Sequence, residues 1–201
     1  MRGAPIRTFG PEAEHAQSGL PTIELKRATG RLLPHVDSYY LYRCDAAEIQ
    51  GVERVDLGQI RFLIRGEGEM VFPDGHVEKL KPIMVAGPGT ASASYTIRGP
   101  ALMFAVVLRA IGWKALIGLP ANKFTDHIIN GEKLFCEQAP ALWQRMQAMD
   151  SLDEMISGIA PLLIMRQEEV KPVPVAHYPF LREVRDWAAA DGSTIAQLYA
   201  R

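Results

Sequence analysis

The sequence predicts an α+β protein in which a small β-barrel at residues 22–111 is followed by an α-helical segment at residues 112–170. In the first region, short stretches of alternating apolar and polar residues are separated by Gly and Pro turns, a spacing typical of barrels and sandwiches. After about residue 112, apolar residues recur every three or four positions, which is the period of a helix. Residues 1–21 lack any apolar period and are expected to form a flexible arm.

The strands of the predicted barrel are marked by their turns. Residues 60–64 alternate as in a strand, with Ile or Phe at every second position. In Pro73-Asp74-Gly75 the proline fixes φ, the aspartate side chain bonds its own backbone and the glycine tolerates a positive φ, so this run favours a hairpin. Residues 91–98 alternate again. The run from Ala101 to Leu108 is apolar on both faces, as in a strand covered on both sides.

The helical segment begins with a short helix at residues 113–119, then another from Pro120 through Asp126. A third is predicted at residues 140–149. Ser151 and Glu154 form a capping box that starts a further helix, and Pro161 should kink that helix or divide it. Pro172 and Pro174 predict a stiff linker within residues 171–201, followed by helices at 179–190 and from residue 194.

Composition excludes several classes of protein. The net charge is -1, so no strong overall field attracts nucleic acid or an anionic membrane. Cys44 and Cys136 are too few for a disulfide framework, the N-terminus lacks the apolar core of a signal peptide, and the longest apolar run is too short for a membrane helix. These features predict a cytoplasmic protein with no membrane partner.

No catalytic residue, metal ligand set or cofactor is predicted. The barrel pattern suggests a cupin, but catalytic cupins hold a metal through several histidines, and no two of the five histidines are close enough to share a strand face. His35 and Asp37 could point to one side of a strand, yet further ligands are not evident. There is no G-x-S-x-G motif, and Gly66-Glu67-Gly68 lies between strands rather than before a helix.

The barrel interior could hold a small molecule, since apolar rings with a few fixed polar groups are the usual lining of a ligand pocket. Each of these residues could instead serve as packing, since aromatic side chains at every second position of a small barrel usually form its core. The candidate pocket residues are Tyr40, Tyr42, Arg61, Phe62, Tyr95, Phe104 and Trp113.

A second candidate surface is the apolar stripe of the helix that starts after Ser151. The stripe fits a homodimer seam, and it fits equally a helix packed on its own barrel. The seam candidates are Leu152, Met155, Ile156, Ile159 and Leu163.

Three runs carry a family resemblance: "LIRGEGEMVFPDGHVEKLKPIMVAGPGT" at 63–90, "GWKALIGLPANKFTDHIINGEKLF" at 112–135 and "FLREVRDWAAADGSTIAQLYAR" at 180–201. In this order they resemble AraC/XylS-type bacterial transcriptional regulators, in the subgroup with a divergent, metal-free, cupin-like N-terminal domain. The resemblance implies a jelly-roll-like barrel that binds a small-molecule effector and helices that dimerise or dock. It also implies that residues 171–201 hold the linker and first helices of a helix-turn-helix domain, whose recognition helix would follow Arg201 and would make the DNA contacts.

The sequence thus predicts the effector-sensing and dimerisation domain of an AraC-type regulator, not an enzyme. Two alternatives stay open: a stand-alone cupin-like enzyme of the isomerase or dioxygenase type, and an interaction module with a filled barrel.

Overall fold

A computed structural model describes residues 20–135, 138–170, 174 and 177–188. Its strands are β1 Thr22–Arg27, β2 Val36–Cys44, β3 Glu48–Glu53, β4 Gln59–Val71, β5 Val77–Lys79, β6 Ile83–Ala86, β7 Ala93–Leu108 and β8 Ile128–Asn130. Its α-helices are α1 Ala110–Gly112, α2 Gly131–Phe135, α3 Gln138–Met146, α4 Leu152–Glu169 and α5 His177–Ala188. Single helical turns occur at Gly30–Leu32, Trp113–Ile117 and Ala121–Lys123.

The eight strands form one antiparallel sheet that folds back on itself because β4 and β7 are long. The first half of β4 and the second half of β7 lie with β1, β2, β6 and β8 in what we call the large leaf. The other halves lie with β3 and β5 in the small leaf. The sheet is not closed. The fold is therefore a cupin-like, jelly-roll-like sandwich with a helical segment, which confirms the predicted fold class.

The bend between the leaves coincides with an irregularity in strand register. The pairing of β4 with β7 shifts on either side of Arg65, and Gly66 there has a φ of 90°. A Cβ at Gly66 would lie 2.8 Å from the Arg98 carbonyl oxygen, so the close approach of the two strands also requires glycine. The bulge lets both strands pass from one leaf to the other.

The two larger hydrophobic cores among the described residues result from the alternation of side chains along the strands. One lies between the leaves and joins residues of both, for example Leu63 and Met84 of the large leaf with Met70 and Ile97 of the small leaf. The other lies between the outer face of the large leaf and the helices, where Phe62 and Phe104 meet α3 and α4. We refer to these as the inner core and the outer core.

Several sequence expectations for the helical segment need correction. The expected helix from Pro120 to Asp126 is a single 3-10 turn, Ala121–Lys123, and the next residues supply a strand, β8, which pairs with β6. Pro161 does not divide α4, which runs unbroken from Leu152 to Glu169. Pro161 is on the exposed side of α4, and buried side chains before and after it hold the helix on the sheet.

The expected helix near residue 140 begins at Gln138, and the capping box at Ser151 is present. The predicted arm up to residue 19, most of the proline linker and the final helix from residue 194 lie outside the described residues. None of the described helices is long and apolar enough to cross a membrane.

Candidate functional site

A polar network lies on the inner face of the large leaf, within the sandwich. Because Ile60 and Phe62 of β4 face the helices, the alternate residues Gln59 and Arg61 face inward. Gln59 is 1% exposed and Arg61 2% exposed, so a full positive charge is buried there. Burying an arginine without partners would be strongly unfavourable, and its partners therefore define the site.

The network joins residues of three strands, β2, β3 and β4. Arg61 Nε donates to Gln59 Oε1 at 2.9 Å, and the Tyr40 hydroxyl donates to the same oxygen at 2.7 Å. Arg61 Nη2 forms an ion pair with Glu53 at the end of β3, whose side chain is 27% exposed. Arg61 Nη1 has the Met70 sulfur, a weak acceptor, at 3.7 Å.

The ionisation of the network is set by burial and by Glu53. Burial alone would lower the pKa of Arg61, but the charge of Glu53, helped by Tyr40 and Asp56, raises that pKa above its usual value. Asp56 accepts from Gln59 Nε2. Burial raises the pKa of Asp56, against the opposing effect of its hydrogen bond from the Leu57 amide. The guanidinium is thus permanently charged and is neutralised by one carboxylate at the edge of the site.

Two tyrosine hydroxyls in the same interior have no strong hydrogen bond within the described part of the chain. Tyr42 and Tyr95 are 3% and 7% exposed, and neither hydroxyl has an oxygen or nitrogen partner among the residues that the structure describes. The Cys44 thiol beside Tyr42 is a weak partner. Burial raises the pKa of both tyrosines, so both hydroxyls stay protonated and able to donate. Buried groups of this kind normally have partners, so two together call for an explanation.

A narrow cleft borders the network. Its lining includes Glu53, Asp56, Met70 and Phe72, and its cavity volume is about 30 Å³. That volume has room for about two water molecules and is far below the pocket of a drug-sized ligand. A small molecule would therefore have to displace side chains to reach Arg61, and Glu53, which is partly exposed, is the one that already occupies the position of an anion.

The structure divides the seven predicted pocket residues between the two cores. Tyr40, Tyr42, Arg61 and Tyr95 face the space between the leaves. The other three, Phe62, Phe104 and Trp113, lie in the outer core beneath the helices. The structure thus brings four of the seven together.

The five seam candidates lie on the side of α4 that faces the chain's own sheet. Leu152, Met155, Ile159 and Leu163 are at most 1% exposed and belong to the outer core, whereas Ile156 is half-buried. The structure therefore shows the alternative in which this stripe packs on its own barrel. A dimer contact would need another surface.

A second group of polar residues was missed by the sequence analysis. One ligand atom each from His76, Glu78 and His127 lies within 4.8 Å of the others at the end of the sandwich. His76 and Glu78 flank the start of β5, and His127 precedes β8. The alternating His76-x-Glu78 pair was the available signal, but its third member is distant in sequence. His35 and Asp37 do not form a comparable group, because His35 is buried and Asp37 pairs with Arg27 and Arg109.

The folded-back antiparallel sheet, with a buried polar interior and helices over one face, defines a cupin-like domain. More particularly, residues 27–130 match the family described as Domain of unknown function (DUF6597), and the chain belongs to that family. No curated protein matches the chain in sequence.

Solved structures with a similar fold include an AraC-like transcriptional activator, CuxR, at 8% identity and a TM-score of 0.41, covering 90% of this chain and 83% of that one. A cupin domain from Bordetella pertussis has 13% identity and a TM-score of 0.33, covering 48% of this chain and 99% of that one. An oxalate decarboxylase variant from Bacillus subtilis has 14% identity and a TM-score of 0.33, covering 72% of this chain and 36% of that one.

Proposed function

We propose that this chain is a ligand-sensing domain whose interior recognises a small molecule with an acidic group. The observation that carries the proposal is the buried Arg61, whose ion pair with Glu53 lies at the edge of the sandwich, with two tyrosine hydroxyls in the same interior that have no oxygen or nitrogen partner among the described residues. A guanidinium is matched in shape and charge to a carboxylate, and the hydroxyls of Tyr42 and Tyr95 offer further donors.

In this proposal the acidic group of the effector replaces the Glu53 carboxylate on Arg61. The exchange conserves the neutralising charge, so the buried guanidinium is never left unpaired. Glu53 is the last residue of β3 and precedes the loop that carries Asp56. Release of Glu53 would therefore change the edge of the small leaf, which gives the effector a route to alter the surface of the domain.

The experiment is a thermal-melting screen of the 201-residue chain against aliphatic and aromatic carboxylic acids, each paired with its uncharged amide. A ligand that binds the native state raises the melting temperature by mass action, so we expect some acids to stabilise the chain and their amides to have no effect. Arg61→Met should abolish the shift, whereas Arg98→Met, which removes an exposed arginine, should preserve it.

Glu53→Gln provides a sharper test, because it removes the competing carboxylate. We expect acids to bind this variant more tightly than they bind the wild-type chain, as measured by calorimetry. Equal stabilisation by acids and amides, or undiminished binding in Arg61→Met, would contradict recognition by Arg61.

At the wider scale we propose that the domain senses an effector for a dimeric AraC-type transcriptional regulator in the bacterial cytoplasm. This proposal rests on the sequence runs at 63–90, 112–135 and 180–201, which in this order resemble AraC-type regulators. Light scattering on the chain with and without a stabilising acid tests the assembly. A monomer under both conditions would count against a dimerisation role.

A further inference from the structure

We propose that His76, Glu78 and His127 form a binding site for a divalent transition-metal ion of the zinc type, separate from the Arg61 network. One ligand atom from each residue lies within 4.8 Å of the other two. Imidazole nitrogen and carboxylate oxygen are ordinary zinc ligands, and two histidines with one glutamate are a known three-ligand set that leaves one position for water.

The hydrogen bonds of the two histidines prepare the rings for a metal. His127 Nδ1 lies 2.8 Å from the Thr125 carbonyl oxygen, which can only accept, so Nδ1 carries the proton. His76 Nδ1 is bound in the same way to the Asp74 carboxylate. In each neutral ring the proton is therefore on Nδ1, and Nε2 presents its lone pair. A carboxylate or carbonyl on the second ring nitrogen is the usual support of a metal-binding histidine.

The free nitrogen of His76 is both buried and unpartnered. His76 Nε2 has no hydrogen-bond partner among the described residues, and its nearest charged neighbour is Glu78 Oε1 at 3.6 Å. Two tetrahedral zinc ligands, each about 2.1 Å from the ion, lie roughly 3.4 Å apart, so this pair already has the spacing of two ligands of one ion. The Ile128 amide, 3.3 Å away, holds the same Glu78 oxygen in place.

The third ligand and the surroundings suit an accessible ion. His127 is exposed, its ring centroid is 4.7 Å from that of His76, and its ligand atom is already within 4.8 Å of the other two. The Phe72 ring stacks on His76 at 4.6 Å and also lines the cleft beside the Arg61 network. A bound ion would join the β4–β5 hairpin to the segment before β8.

One alternative would explain the same geometry without a metal. A protonated His76 could lie between the Asp74 and Glu78 carboxylates, and Lys81 Nζ, 3.7 Å from Glu78 Oε2, already supplies some positive charge. The two alternatives differ in whether zinc binds and in whether His127 matters.

The experiment is calorimetric titration of the 201-residue chain with zinc chloride after treatment with a chelator, with native mass spectrometry to count bound ions. We expect one ion per chain, with a Kd of about 1 μM or tighter. His127→Ala, which changes an exposed residue, should weaken binding more than tenfold. Asp74→Asn, which perturbs only the support of His76, should weaken it by about tenfold.

His177→Ala is the matched control, because His177 is an exposed histidine on α5 outside the cluster, and we expect its binding to equal that of the wild-type chain. No stoichiometric zinc in the wild-type chain, or binding by His127→Ala as tight as wild type, would overturn the proposal. Acid recognition at Arg61 uses none of these three residues, so failure at one site leaves the other unaffected.

Discussion

At the scale of single residues, the interior of the sandwich combines the buried charge of Arg61 with two hydroxyls that have no oxygen or nitrogen partner in the described part of the chain. Arg61 depends on Glu53 for neutralisation, whereas Glu48, at the other end of β3, forms a comparable pair with Arg98 of β7 on the surface. Because the two pairs differ in burial, the free energy of unfolding lost on breaking the Arg61–Glu53 pair can be compared with that lost on breaking the exposed Arg98–Glu48 pair.

Glu53→Gln should lower the free energy of unfolding by about 2–4 kcal/mol, because it leaves a buried guanidinium without its counter-charge. Glu48→Gln, which breaks the exposed pair with Arg98, should change it by less than about 0.5 kcal/mol. Chemical denaturation of both variants makes the comparison. Similar values for the two would mean that Arg61 is hydrated in solution.

Tyr42→Phe and Tyr95→Phe should leave the free energy of unfolding unchanged or slightly raise it, since each removes a buried hydroxyl with no oxygen or nitrogen partner among the described residues. Tyr40→Phe is the control: it loses a 2.7 Å hydrogen bond to Gln59 and should cost about 1 kcal/mol. Denaturant melts without ligand provide the values. A clear loss of stability in Tyr42→Phe or Tyr95→Phe would show that water or another group satisfies the hydroxyl.

At the scale of secondary-structure elements, local sequence determines where α4 starts, and packing determines where it lies on the sheet. Its start is fixed locally, by Ser151 accepting from the Glu154 amide while Glu154 reaches back to the Ser151 amide. Its position on the sheet is fixed by the apolar stripe, which is buried within the chain. These two contributions predict different responses to mutation.

Ser151→Ala should destabilise the chain by about 1 kcal/mol, because the amide of Glu154 loses its acceptor. Ser157→Ala, an exposed change in the middle of the same helix, should be neutral or stabilising by a few tenths of a kcal/mol. Thermal and chemical unfolding of both variants test the cap. Equal effects would indicate that α4 is held by packing alone.

Met155→Ala should cost about 2–5 kcal/mol, since Met155 is fully buried between α4 and the sheet. The cost should be the same at low and high protein concentration, because the contact lies within one chain. Ile156→Ala, at a half-buried position, should cost less. A loss of stability that disappears at high concentration would instead indicate a dimer seam on this stripe.

At the scale of the whole molecule, the sandwich and the segment that follows it are joined by close backbone contacts. The Gly87 amide donates to the His127 carbonyl at 2.9 Å, and a Cβ at Gly87 would lie 1.6 Å from the Phe124 carbonyl oxygen. The end of β6 therefore fixes the segment that carries Asp126 and His127. Both proposed sites depend on this junction, since Gly87 lines the cleft and His127 belongs to the metal cluster.

Gly87→Ala should separate this junction and destabilise the chain by several kcal/mol, because backbone atoms cannot move aside as a side chain can. Gly89→Ala is the matched control two residues later, where an added Cβ would meet its nearest atom at 3.4 Å, an ordinary contact. Solubility and melting temperature of the two variants report the difference. Equal behaviour would mean that the segment at 121–127 is free to shift.

The sequence by itself determined what depends on neighbours along the chain. The alternation in β4 and β7, the hairpin at Pro73-Asp74-Gly75 and the capping box at Ser151 are each encoded within a few residues. Such signals follow directly from backbone conformation and side-chain period, and they sufficed for the fold class.

Only the tertiary structure decided which surfaces and side chains meet. Phe62 and Arg61 are adjacent in sequence, yet strand alternation sends one to the outer core and the other to the interior, and no local signal says which face the helices cover. For the same reason the sequence did not predict β8 or the proximity of His127 to His76. Both arise because β8 pairs with β6 across a long loop. The burial of Arg61, and therefore its need for the Glu53 carboxylate, follows from packing between strands that are far apart in sequence. Such contacts depend on many residues at once, so no short stretch of sequence reveals them.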